Sequence, residues 1–234
     1  MAIEHCQKSI EFCEKGQIRN ALGIAWGGLG FGHYLRGELK TAVAQIEKVL
    51  KLQMETGRKS FLSIFYDWLS FIHIDSGKLP DAEMNCQKAL ELSSKNNGKY
   101  YEGFSRILCG RILVKSDISK GNEAEAHIRR GMEILNELKI RPFFTMGYLF
   151  LGELFVAVGQ REKALKNLEN AQNDFEKMGM DFWVARTLAV YSALYEREGD
   201  QFRARENLTK AIGIFRECGA DGWVEKYEKE LAAL

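Results

Sequence analysis

The residues of this 234-residue chain that could do chemistry are few, and their spacing does not suit it. Histidine occurs at His5, His33, His73 and His127, and cysteine at Cys6, Cys13, Cys86, Cys109 and Cys218. A zinc cage or a redox dithiol uses close pairs such as Cys-x2-Cys, and no two cysteines here have that spacing. An odd, scattered set of thiols fits a reduced, cytosolic protein. A phosphate cradle needs a glycine-rich turn between strand and helix, closed by Gly-Lys-Ser/Thr. The segment GGLGFG at 27–32 has the glycines, but it lies inside a helical pattern with no strand before it. Gly57-Arg58-Lys59-Ser60 has Leu52 where such a loop needs its first glycine. Both segments read as helix packing and connection. Nothing orders a serine or cysteine beside a histidine and an acid in one cleft. The expectation is a non-enzyme with no catalytic residue, no cofactor and no metal.

Composition points the same way. With 33 basic and 32 acidic side chains, the net charge of +1 supplies no field to draw in nucleic acid. The nearest basic cluster, His127, Arg129 and Arg130, is interleaved with Glu125 and Glu133 and reads as a solvated helix face. No run of about 18 apolar residues is present, and the N-terminus MAIEHCQKSIEFCEKGQ has no apolar signal core. No membrane partner is expected. Two prolines in the whole chain favour long helices, which tolerate proline badly.

The elements that must position any functional residue form an internal repeat. Gly37, Gly77, Gly159 and Gly199 are each followed five residues later by alanine: Ala42, Ala82, Ala164 and Ala204. Ala124 fills the same slot in a further copy, so the alanine steps are 40, 42, 40 and 40. Each alanine opens an apolar pattern at i, i+4 and i+7, as in Ala42, Ile46 and Val49, which is one helix face. Upstream of each glycine lies another helical pattern. The unit is helix, glycine turn, helix, the glycine ending the first helix in a left-handed conformation. Each alanine is expected where two helices cross closely.

Trp26-x2-Leu29-Gly30-x2-His33, then Gly37, Ala42, Ile46 and Val49, resembles the tetratricopeptide signature. Tyr66-x2-Leu69-Ser70-x2-His73 and Tyr148-x2-Leu151-Gly152-x2-Phe155 follow it. The fifth unit is weaker, with Leu188, Tyr191, Ser192 and Tyr195; the third has Gly110 in the glycine slot and two extra residues before Ala124. The period near 40 exceeds the usual 34, which implies longer helices or longer connections, and it leaves HEAT or armadillo arrays as an alternative. The 40-residue units and the closing MGMDFW and CGADGW segments also resemble the C-terminal sensor region of bacterial multidomain signalling ATPases and nucleotide cyclases.

The expected fold is all-α: a right-handed helical-hairpin solenoid of about 12 antiparallel helices. Residues 1–16 would be the second helix of a truncated repeat, followed by repeats at 17–57, 58–97, 98–140, 141–180 and 181–220, with 221–234 as a capping helix. A start in mid-repeat is read as a fragment of a longer protein, with a possible homodimer through the truncated N-terminal end. The resemblance implies a protein or peptide partner on a concave surface made of first helices. Residues one after the signature glycine, and four on either side, then point inward. Those carrying aromatic or charged side chains are Phe31, Asp67, Phe71, Asp75, Arg111, Lys115, Glu153 and Arg197, flanked by Trp68 and Phe150. The same residues also suit a structural role, as core aromatics and layer-to-layer ion pairs. His33 and His73 share a slot in successive layers, roughly 10 Å apart at the usual helix spacing, too far for one zinc ion. The implied function is a protein-interaction scaffold in a regulatory, signal-transducing protein; the alternative is a small-molecule sensor gating an attached ATPase or cyclase.

Overall fold

The computed structural model describes residues 2–55, 61–96 and 98–234, with backbone alone for Ala2, Arg19 and Asn20. Gly57, Arg58, Lys59 and Ser60 lie outside the described residues. The chain is all-α, built of consecutive helix hairpins of tetratricopeptide type. Its described helices are α1 (Ala2–Lys15), α2 (Arg19–Leu35), α3 (Leu39–Glu55), α4 (Leu62–Asp75), α5 (Leu79–Lys95), α6 (Lys99–Ser116), α7 (Gly121–Glu137), α8 (Arg141–Ala157), α9 (Arg161–Lys177), α10 (Asp181–Arg197), α11 (Gln201–Glu217) and α12 (Asp221–Ala233). Even-numbered helices are the first helices of each unit and odd-numbered ones the second. Contacts divide the chain into two compact units, residues 1–105 and 106–234. In the first, α1 to α5 pack each on the next; in the second, α7 to α12 do so.

The long period is explained by the helices. From α8 to α11 each helix is 17 residues and each connection three, so two of each make 40. The connections are uniform because one hydrogen-bonding device makes them. Lys78 N–H reaches back to the His73 carbonyl, and Gln160, Asp200 and Ala220 do the same to Phe155, Tyr195 and Phe215. This six-to-one bond is the Schellman motif, which needs a left-handed residue just before the donor. Gly77, Gly159, Gly199 and Gly219 supply it with φ between 66° and 76°. Lys139 takes the same role at φ 57°, where a Cβ makes the conformation costly. Between α6 and α7, in the divergent third unit, the device is absent. Asp117 instead caps a short 3₁₀ turn, Ile118–Lys120, by accepting the Ser119 N–H at 3.0 Å.

The five repeat alanines are fully buried. Opposite Ala42, Ala82, Ala124 and Ala204 lies the signature glycine or serine of the preceding helix, and Gly152 faces Leu168, one turn after Ala164. A Cβ on Gly110 would sit 2.6 Å from the Ala124 carbonyl oxygen and 2.5 Å from Ile128 Cγ1. Where the slot holds serine, the hydroxyl uses the proximity: Ser70 donates to the Ala82 carbonyl at 2.8 Å and Ser192 to that of Ala204 at 2.9 Å. Glycine and serine are thus two solutions to one close helix crossing. The glycines of 27–32 are helical and serve packing. A Cβ on Gly27 would meet Phe65 at 2.5 Å and Trp68 at 2.8 Å, and one on Gly30 would meet Ile46 at 2.5 Å. Among the described residues, no helix is long and apolar enough to cross a membrane.

Candidate partner-binding site

In the first unit the candidates fall on α2 and α4. Phe31 and Trp68 are half-buried and stack at 5.5 Å between centroids. Ile24, on the Phe31 face of α2, is 55% exposed. Asp75 is half-buried and accepts the Tyr34 hydroxyl at 2.8 Å, which fixes its carboxylate beside the aromatic shelf. Phe71 and Asp67 are interior. Phe71 packs edge-on to Tyr34 at 5.1 Å and stacks on Phe104 at 6.4 Å. Asp67 accepts the Ser105 hydroxyl at 2.7 Å. Burial, then the charges of Tyr101 and Asp67, push the Tyr100 hydroxyl well above its usual range.

In the second unit Arg111 and Glu153 form a two-pronged ion pair. Arg111 Nε donates to Oε2 at 2.8 Å and Nη2 to Oε1 at 3.1 Å. Arg111 is only 2% exposed, and its guanidinium also covers the Phe150 ring at 4.4 Å. Arg186, equally buried, lies 4.0 Å from Glu153 and 4.6 Å from the Trp223 ring centroid. Burial by itself would raise the Glu153 carboxyl. The charges of Arg111 and Lys115, the hydrogen bonds from Arg111 and the Arg186 charge outweigh it and hold the group down at about 2. Lys115 is exposed at the edge of this cluster. Phe150 is interior. Arg197 is exposed but already engaged, donating to the Val156 and Ala157 carbonyls at 3.0 and 2.6 Å, where it caps α8.

Of the ten residues expected on a binding surface, Asp67, Phe71, Arg111 and Phe150 are therefore buried and bonded internally. Their neighbours on the same helices stay accessible: Phe31, Trp68 and Asp75 on one unit, Lys115 and the edge of Glu153 on the other. Helical spacing gives the direction of a side chain but not its depth. Asp67 and Asp75 accept from Ser105 and Tyr34, and Arg111 pairs with Glu153. Among the described residues no group of three or more histidine, cysteine or acidic side chains is placed to hold a metal. His33 contacts Glu38 at 2.5 Å, and His73 is buried, its pKa lowered by that burial. Two groups were not foreseen: the bridging Arg186, and a groove between second helices lined by Tyr191, Tyr195 and Gly213. A glycine in the middle of an otherwise strong helical pattern was the available signal for the latter.

No protein-family profile and no curated protein matches the chain's sequence. Solved structures do match its fold. The crystal structure of BtubC (BKLC) from P. vanneervenii is 18% identical with a TM-score of 0.59, covering 93% of this chain and 91% of that one. A Rap protein complexed with Competence and Sporulation Factor is 12% identical with a TM-score of 0.69, covering 99% of this chain and 70% of that one. A signal transduction ATPase with numerous domains, carrying a tetratricopeptide repeat sensor, from Pyrococcus horikoshii is 18% identical with a TM-score of 0.56. The match covers 90% of this chain and 35% of that protein.

Proposed function

We propose that the chain is a protein-interaction scaffold that seats a peptide or partner segment on its first helices, as a regulatory part of a signalling protein. The observation that carries this reading is the Phe31–Trp68 shelf. Two large rings stack across adjacent first helices, half in solvent, beside the exposed Ile24 and the oriented Asp75 carboxylate. Accessible aromatics on a rigid helical frame anchor partners at low entropic cost, and a fixed charge sets register. The fold shared with a Rap protein crystallised with a factor bound supports a binding role. The domain division given above belongs to this proposal.

The test uses the exposed residue, because Phe71→Ala would hollow the core instead of the surface. Immobilised wild-type chain is compared with Ile24→Glu and Trp68→Ala in capture from a lysate of the source organism. A protein retained by the wild type and lost on both variants supports the shelf. Equal retention on all three refutes it. The second reading, a sensor that gates an attached ATPase, draws on the likeness to the Pyrococcus horikoshii protein and its repeat sensor.

A further inference from the structure

We propose that the channel between the second helices α9 and α11, floored by α10, is a separate docking groove for a short protein segment carrying lysine or arginine beside apolar side chains. The channel encloses about 800 Å³, whereas the equivalent space between α1 and α3, over α2, encloses about 300 Å³. Two departures from the repeat accompany the difference. Leu188 stands where the other units carry Trp26, Tyr66, Arg106 and Tyr148. Gly213 stands where they carry Lys51, Glu91, Glu133 and Asn173.

Gly213 is the telling residue. Glycine inside a helix weakens it, so its presence calls for a compensating use. Gly30, Gly110, Gly147 and Gly152 have one, since a Cβ on any of them would come within 3 Å of a neighbouring side chain. A Cβ on Gly213 would meet nothing within 4 Å. The space it leaves serves nothing in the chain itself and opens the groove.

The lining has a definite chemistry. Val184 and Leu188 form a buried apolar floor, and the rings of Tyr191 and Tyr195 lie parallel on it, 6.5 Å apart. Glu169, Glu176 and Glu217 are exposed along the rim, and none is in an ion pair. Lys210, the one cation of the lining, is tied to Glu206 at 2.8 Å. Burial, and then the Glu169 charge, push the Tyr191 hydroxyl up to about 12, in keeping with a negative field over the floor. Apolar floor, paired rings and an uncompensated acidic rim complement a basic amphipathic segment. At about 100° per residue, Leu188, Tyr191 and Tyr195 lie half a turn around α10 from Ala189, Ala193 and Arg197, so this face is distinct from the first-helix surface.

The test begins with a phage-displayed library of random peptides, about twelve residues long, selected against the whole chain. Enriched peptides are expected to be net basic with apolar neighbours. The strongest, synthesised with a fluorophore, should bind Glu169→Lys/Glu217→Lys about tenfold or more weakly, with a similar loss on Gly213→Trp. Both glutamates are exposed and unpaired, so the double variant should melt with the wild type and any loss is read as binding. No enrichment, enriched peptides without lysine or arginine, or undiminished affinity for both variants would overturn the groove. Loss on Ile24→Glu but not on the groove variants would overturn it too, and would favour the first-helix site. Dimerisation abolished by the glutamate double variant would assign the groove to a second copy of the chain, again against the proposal.

Discussion

Glu153→Gln should cost stability at neutral pH and erase part of the protein's acid sensitivity. The carboxyl is held at about 2 against an ordinary value of 4.5. A depressed carboxylate stabilises the folded state above its ordinary pKa, and that stabilisation disappears as pH falls from 4.5 through 2. The difference of roughly 2.5 units corresponds to about 3 kcal/mol at most. Glutamine keeps the shape but removes the charge, leaving Arg111 and Arg186 buried at 2% and 3% exposure without their common carboxylate. Breaking a buried pair from one side costs about 3–5 kcal/mol. Urea unfolding followed by tryptophan emission, with Trp183 and Trp223 in the same unit, would be run at pH 7, 5, 4, 3 and 2.5. The wild type should lead by about 3 kcal/mol or more at pH 7, and the gap should narrow steadily below pH 4.5, because every other carboxylate is common to both proteins. Parallel stability profiles over that range would refute the electrostatic account of the cluster, even if the variant were less stable throughout.

Four further substitutions test the architecture. Gly110→Ala and Gly213→Ala place the same methyl group on two helical glycines and should move stability in opposite directions. The first should destabilise by about 1–3 kcal/mol through collision with Ile128 and the Ala124 carbonyl, and the second should stabilise by up to about 1 kcal/mol, both read from thermal melts. Ala164→Leu, at a fully buried crossing, should cost about 1–3 kcal/mol; an unchanged melting temperature would contradict the repeat register. Lys139→Gly should stabilise by about 0.5–1 kcal/mol, since the φ of 57° suits glycine better than lysine; a lower melting temperature would show that the Lys139 side chain outweighs its backbone cost.

The hairpin array was legible because backbone geometry dictates it. A left-handed turn selects glycine and a close crossing selects alanine, so both recur at the repeat period whatever the protein binds. The depth of the first-helix residues was not legible, because it depends on which neighbouring helix covers them. Arg111 illustrates this. By spacing and charge it belongs on a surface, yet it is buried because Glu153, 42 residues later, neutralises it and Phe150 covers it. No local pattern signals that pairing. Phe71 and Phe150 are interior for the same reason, while Phe31 and Trp68, at related positions, keep part of their rings in solvent.

The glycines carry this distinction furthest, since three physical uses account for them and only two concern the fold. Gly77, Gly159, Gly199 and Gly219 have positive φ and close helices. Gly30, Gly110, Gly147 and Gly152 sit under a neighbouring side chain and permit close packing. Gly213 has neither a positive φ nor a neighbour within reach of a Cβ, so neither folding argument explains it. Its cost to α11 is tolerable where the space it leaves is filled by something outside the chain. The acidic rim and tyrosine floor around it set the chemistry of that occupant, and the opposite signs expected for Gly110→Ala and Gly213→Ala separate packing glycine from open glycine within one protein.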